Sequence, residues 1–125
     1  MIQALLVAVG GAIGSVLRYY VGRWALKLMG PAFPWGTLAV NVVGCFVIGV
    51  FAELIARKFN ASVELRLLLI TGFLGGFTTF SAFSLDAISL FEGGEAVAGG
   101  IYIAASVGLS MAAVFAGLAI MRALV

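Results

Sequence analysis

Histidine is absent from the sequence, and cysteine occurs once, at Cys45. A disulfide within the chain, a zinc cluster and a Cys/His catalytic pair are thereby excluded, and Cys45 reads as a small packing residue. Charge is scarce as well: seven basic and five acidic side chains make up 10% of the 125 residues, against 64% hydrophobic ones. With a mean hydropathy of +1.24, the chain is far from the balance of a soluble domain and reads as an integral membrane protein. An enzyme is disfavoured, because no nucleophile–base pair or metal cluster can be assembled. A phosphate loop of the G-x-x-x-x-G-K-[ST] kind is also missing. The net charge of +2 sits mostly at helix ends, where it suits membrane anchoring rather than nucleic acid.

What is present is apolar length. A bilayer core about 30 Å thick takes roughly 20 apolar residues per helix, so the chain holds four spans with short loops, as one domain over residues 1–125. The opening MIQALLVAVGGAIG carries no Lys or Arg ahead of its apolar run and continues beyond Arg18 to Leu28. That run is too long for a signal-peptide core and reads as a retained first helix, residues 2–28. Gly30, Pro31 and Pro34 stop it. A second helix is expected over 35–56, then a polar turn of Arg57, Lys58, Phe59 and Asn60, with Glu53 one helical turn before Arg57 and paired to it. A third helix over 62–91 is expected to be interrupted near its middle. The turn Glu92–Glu95 leads into a fourth over 96–122. The fold class is therefore an all-α membrane protein of four transmembrane helices.

Small residues four apart mark close helix contacts: Gly10 with Gly14, Gly72 with Gly76, and Gly108, Ala112 and Ala116. With alternating helices, Arg57, Lys58, Arg66 and Arg122 fall on one side of the membrane and Arg18, Arg23 and Lys27 on the other. The positive-inside bias is nearly tied, which predicts an antiparallel homodimer of oppositely inserted copies.

Two uncharged polar stripes cross the membrane. Thr37 and Asn41 share a face of helix two, and Tyr102, Ser106 and Ser110 recur at i, i+4 and i+8 in helix four. Each alone reads as helix glue, since hydroxyls can bond back to the carbonyl a turn earlier. Between them lies GFLGGFTTFSAFS, Gly72 to Ser84. Irregular backbone survives at membrane depth only inside protein or along a cavity. Gly72, Gly75, Gly76, Thr78 and Thr79 therefore suggest a buried break in helix three. Its freed carbonyls either bind a cation or are filled by Ser and Thr side chains in a simple kink. Beyond it Phe80 and Phe83 face one way. An aromatic ring has a positive edge, so the two rings with the hydroxyl and amide donors describe an uncharged anion path that binds weakly enough to release. Arg18 either attracts anions at a vestibule, snorkels to the interface or finds a packing partner.

At these residues the sequence resembles the small Fluc (CrcB) fluoride channel family. The resemblance is carried by GGAIGSVLR (Gly10 to Arg18), GTLAVN (Gly36 to Asn41), GFLGGFTTFSAFS, and Tyr102 with Ser106 and Ser110. It implies a dual-topology dimer in a bacterial inner membrane, with two fluoride pathways lined by both subunits, through which fluoride leaves the cytoplasm passively. Phe80 and Phe83 would be the family's phenylalanine box, Asn41 its pore asparagine, and Thr37, Tyr102, Ser106 and Ser110 pore-lining positions. Ser81 and Ser84 would continue a polar track, and Arg18 would be the vestibule arginine. The break would hold a structural sodium ion at the dimer interface through the backbone carbonyls of Gly75 and Thr78. Where the family often has threonine between the two phenylalanines, this chain has Ala82, and one hydroxyl of the track is lost.

Two rivals make different demands. A small multidrug-type transporter needs an acidic residue inside the membrane; helix one has none, and Glu53 and Asp86 lie toward helix ends. A non-transporting scaffold predicts no ion flux.

Overall fold

The computed structural model describes residues 1–57 and 62–125, and among them four helices are long and apolar enough to cross a bilayer. Helix α1 (Ile2–Met29) ends at Gly30, whose φ of 79° suits glycine, and Pro31 and Pro34 prevent its continuation. Helix α2 (Trp35–Arg57) follows. Of the predicted polar turn, Lys58, Phe59 and Asn60 lie outside the described residues.

The third span, Val63–Glu92, comes in two pieces: α3, residues 63–77, and α4 (Phe80–Glu92). Ser62 opens α3 by accepting a hydrogen bond from the Leu65 amide at 3.3 Å. From Leu67 to Leu74 the backbone takes the wider π-helical winding, an irregularity that composition does not announce and that recurs at functional sites. Thr78 and Thr79 are extended, with φ/ψ of −90°/161° and −155°/125°. After a turn in which Gly94 has a φ of 81°, α5 (Ala96–Leu124) completes the fold.

Of the five residues expected to make the break, Thr78 and Thr79 are the ones that leave the helix. Gly72, Gly75 and Gly76 are themselves helical, and Gly72 and Gly76 serve contact with α1. A Cβ on Gly76 would meet the Gly11 carbonyl at 2.5 Å, and one on Gly72 the Val7 carbonyl at 2.9 Å. From the other side, a Cβ on Gly10 would meet the Phe73 amide at 2.8 Å and one on Gly14 the Phe77 amide at 2.9 Å. Backbone meets backbone along this seam, which is how membrane helices gain contact without a hydrophobic driving force between them. Helices α2 and α5 cross in the same way at Gly49 and Gly117.

The stripe Gly108, Ala112 and Ala116 does not take part. All three are exposed, and a Cβ on Gly108 would find nothing within 4 Å. Spacing located the small residues but not the face of the helix that meets a neighbour.

Glu53 does more than pair along its own helix. Arg57 donates to one carboxylate oxygen at 2.5 Å and Arg122, at the end of α5, to the other at 3.1 Å. The far ends of α2 and α5 thus lie together at one membrane face. Much of the large apolar surface, including Ile13, Leu85 and Phe115, points outward, as lipid requires.

Candidate functional site

The site is built around the break, where side chains take over several of the backbone groups. In an unbroken helix the Thr79 amide would bond the Gly75 carbonyl, and the Ala82 amide the Thr78 carbonyl. Neither does. The Thr79 amide donates instead to Asn41 Oδ1 at 2.8 Å, and the Ala82 amide to Thr79 Oγ1 at 3.1 Å, making Thr79 the N-cap of α4. Gly75 and Thr78 therefore lose their usual amide donors to side chains.

Neighbouring carbonyls are treated differently. The Leu74 carbonyl accepts from both the amide and the hydroxyl of Thr78, at 2.9 and 2.8 Å. The Gly76 carbonyl accepts from Arg18 Nε at 3.0 Å, and the Thr79 carbonyl from Asn41 Nδ2 at 2.9 Å. Asn41 thus clasps Thr79 as a facing strand would, with one N–H to spare. Room for this arrangement comes from Gly44, one helical turn after Asn41, where any Cβ would overlap Thr78 Cγ2.

Beside the break opens a cavity of about 310 Å³. Asn41, Phe80, Phe83, Ser106 and Ser110 line it together, with Thr79 at its edge. The Phe80 and Phe83 rings are 5.5 Å apart between centroids and tilted by 53°. They differ in burial: Phe83 is 8% exposed and Phe80 77%, so the cavity is open on the Phe80 side. The Oγ atoms of Ser106 and Ser110 are buried and have no hydrogen-bond partner among the described residues. Thr78 and Ser84, by contrast, do bond back one turn, Ser84 Oγ to the Phe80 carbonyl at 3.0 Å. The helix-glue explanation thus fits Thr78 and Ser84, not the serines of α5.

Other predicted residues fall elsewhere. Tyr102 is fully buried; its ring packs 5.3 Å from Phe83 and edge-on to Phe33, and its hydroxyl donates to Asp86 at 3.2 Å. Thr37 and Arg18 line a neighbouring cavity of about 330 Å³ with Arg23, Thr79 and Ala82. The missing hydroxyl at Ala82 is therefore missing from that second space. Ser81 stands 3.4 Å from Thr79 Oγ1, and neither it nor Ser84 lines these two cavities. Sequence reasoning missed Gly44 and the capping role of Thr79. A threonine directly ahead of FSAFSLD was a usable capping signal, whereas a lone glycine in an apolar helix gives none.

Among the described residues no cluster of carboxylates or thiols could hold a metal ion, which leaves backbone oxygens as the hard donors near the break.

Comparison with known proteins gives one consistent picture. Residues 5–118 match the family described as "CrcB-like protein, Camphor Resistance (CrcB)". The "Fluoride-specific ion channel FluC" of Rhizobium etli is 95% identical over 125 residues, the whole of both chains. A protein of the same name from Rhizobium meliloti is 66% identical over the same full length. The "Fluoride-specific ion channel FluC 1" of Nitrobacter hamburgensis is 52% identical over 120 residues, 96% of this chain and 95% of that one.

Proposed function

Because the chain belongs to the CrcB-like family, we propose that it is a fluoride-selective passive channel, working as a dimer of oppositely inserted copies with a sodium ion between them. The observation that carries the anion path is the pair of unpartnered hydroxyls, Ser106 and Ser110, facing the same cavity as Phe80 and Phe83. A buried hydroxyl without a partner costs about 1–3 kcal/mol, and a dehydrating fluoride ion passing through is a partner that repays it.

The surrounding groups suit the same ion. Ring edges carry partial positive charge, and the N-terminal end of α4, beginning at Phe80, carries the positive end of the helix dipole. None of these is a fixed charge, so the ion is held weakly and can leave. Hydrogen fluoride enters cells as a neutral weak acid and dissociates inside. With the interior negative, export of one anion is favoured by about 2.3 kcal/mol per 100 mV, so a passive channel in the bacterial inner membrane suffices.

The other half of the broken helix suits a cation. Its carbonyl end presents oxygens, and the Gly75 and Thr78 carbonyls are the two whose amide donors were diverted to Asn41 and Thr79. Unwound carbonyls and half-helix C-termini are the usual sodium ligands inside membranes. Gly75 is exposed on the single chain, where a second copy can complete the set. Sodium there would neutralise the carbonyl dipoles and tie the copies together. A reporter on the C-terminus should be readable from both membrane faces; detection on one face alone would remove the antiparallel dimer.

Replacing Ser106 and Ser110 together by alanine should slow fluoride efflux from liposomes at least about tenfold, the scale of losing hydrogen bonds to a charged partner. Efflux equal to wild type would show that these hydroxyls do not meet the ion.

A further inference from the structure

Arg18 Nε donates to the Gly76 carbonyl across 58 residues of sequence, at 3.0 Å and partly buried. We infer that Arg18 is a positioning residue of the cation site: by holding the Gly76 carbonyl, it fixes the end of α3 in the orientation that leaves the Gly75 and Thr78 carbonyls free. This rests on the sodium reading given above.

The last four carbonyls of any helix lack intrahelical donors. At the end of α3 each carbonyl that the structure satisfies is held by an identified group: Leu74 by Thr78 and Gly76 by Arg18, with Thr79, beyond the helix, held by Asn41. The pattern of which oxygens remain is thus written by side chains from two other helices. Arg18 reaches Gly76 because α1 and α3 touch backbone to backbone immediately before it, where a Cβ on Gly76 would lie 2.5 Å from the Gly11 carbonyl and 3.0 Å from Ser15 Oγ. A guanidinium is suited to the task, because it stays charged and presents donors in a rigid plane. Arg18 also lines the cavity shared with Thr37 and Thr79.

The sign of the effect separates positioning from charge. An arginine acting on sodium only through its charge would repel it, so removing that charge would tighten sodium binding. Removing a positioning residue would weaken it.

The test is the sodium concentration giving half of the sodium-dependent rise in melting temperature of the purified full-length protein. N-methylglucamine replaces sodium at constant ionic strength. Arg18→Met, which loses donor and charge, should shift this midpoint about tenfold upward, the scale of one charge-assisted hydrogen bond. Arg18→Gln, which keeps an N–H donor without the charge, should fall between Arg18→Met and wild type. Should Arg18→Met not fold, Arg18→Gln decides by sign alone. A midpoint that stays put or moves downward overturns the inference while leaving the sodium site intact. A wild-type protein indifferent to sodium removes that site and the inference with it.

Discussion

A Phe80→Ile, Phe83→Ile variant is expected to lose fluoride efflux down to the level of protein-free liposomes while still forming a folded dimer. Isoleucine fills much of the ring volume and remains apolar, so the exposed position of Phe80 and the buried one of Phe83 both tolerate it. It has no quadrupole, however, and offers an anion no positive edge. With the rings only 5.5 Å apart on one cavity wall, both changes fall on the same stretch of path. Their effect should therefore exceed that of losing the two serines. Phe83 also supports Tyr102 at 5.3 Å, so Phe83→Ile alone should lower the melting temperature more than Phe80→Ile, whose ring is 77% exposed. The check is fluoride-electrode recording of efflux beside a thermal melt. Retained flux in the double variant would place the ion elsewhere.

Gly44→Ala should be nearly as damaging for a different reason. The added methyl overlaps Thr78 Cγ2, and either Thr78 turns away from the Leu74 carbonyl or α2 retreats from the break and takes Asn41 off Thr79. Overpacking of this kind costs typically about 1–3 kcal/mol, here concentrated on the two residues of the break. Fluoride efflux should fall about tenfold or more, since 1.4 kcal/mol is a factor of ten. The remedy is specific: Thr78→Ser removes the clashing methyl and keeps the hydroxyl that bonds Leu74, so the Gly44→Ala, Thr78→Ser pair should recover most of the flux and melting temperature. Failure of Thr78→Ser to rescue would mean that Gly44 serves some other contact.

These two variants mark the boundary of what the sequence makes legible. Four apolar runs and the stops between them are one-dimensional signals, and the structure has helices in those four places. The break too is legible as a class of feature, because glycine beside threonine in an apolar segment conflicts with a lipid-facing helix. Which of the residues breaks is not, since Gly72 and Gly76 serve equally well as contact points for α1, and only the position of α1 decides between the roles. Long-range pairings are hidden for the same reason. Asn41 lies 38 residues from Thr79, Glu53 69 from Arg122, and Tyr102 16 from Asp86. Ser106 and Ser110 share one cavity wall, as their spacing suggests, yet the same spacing rule failed for Gly108, Ala112 and Ala116, which look outward. The difference is chemical: a polar atom in a membrane must face protein or a cavity, whereas alanine and glycine are content against lipid.

The most direct measurement is efflux of fluoride and of chloride from liposomes holding the purified wild-type protein at the same voltage and ionic strength. Fast loss of fluoride with chloride retained is the result expected of a path lined by hydroxyl donors and phenyl edges, which favour the smaller and more strongly hydrogen-bonding halide. Equal loss of both ions, or loss of neither from a folded dimer, would contradict it and leave the cavity between Phe83 and Ser106 as packing.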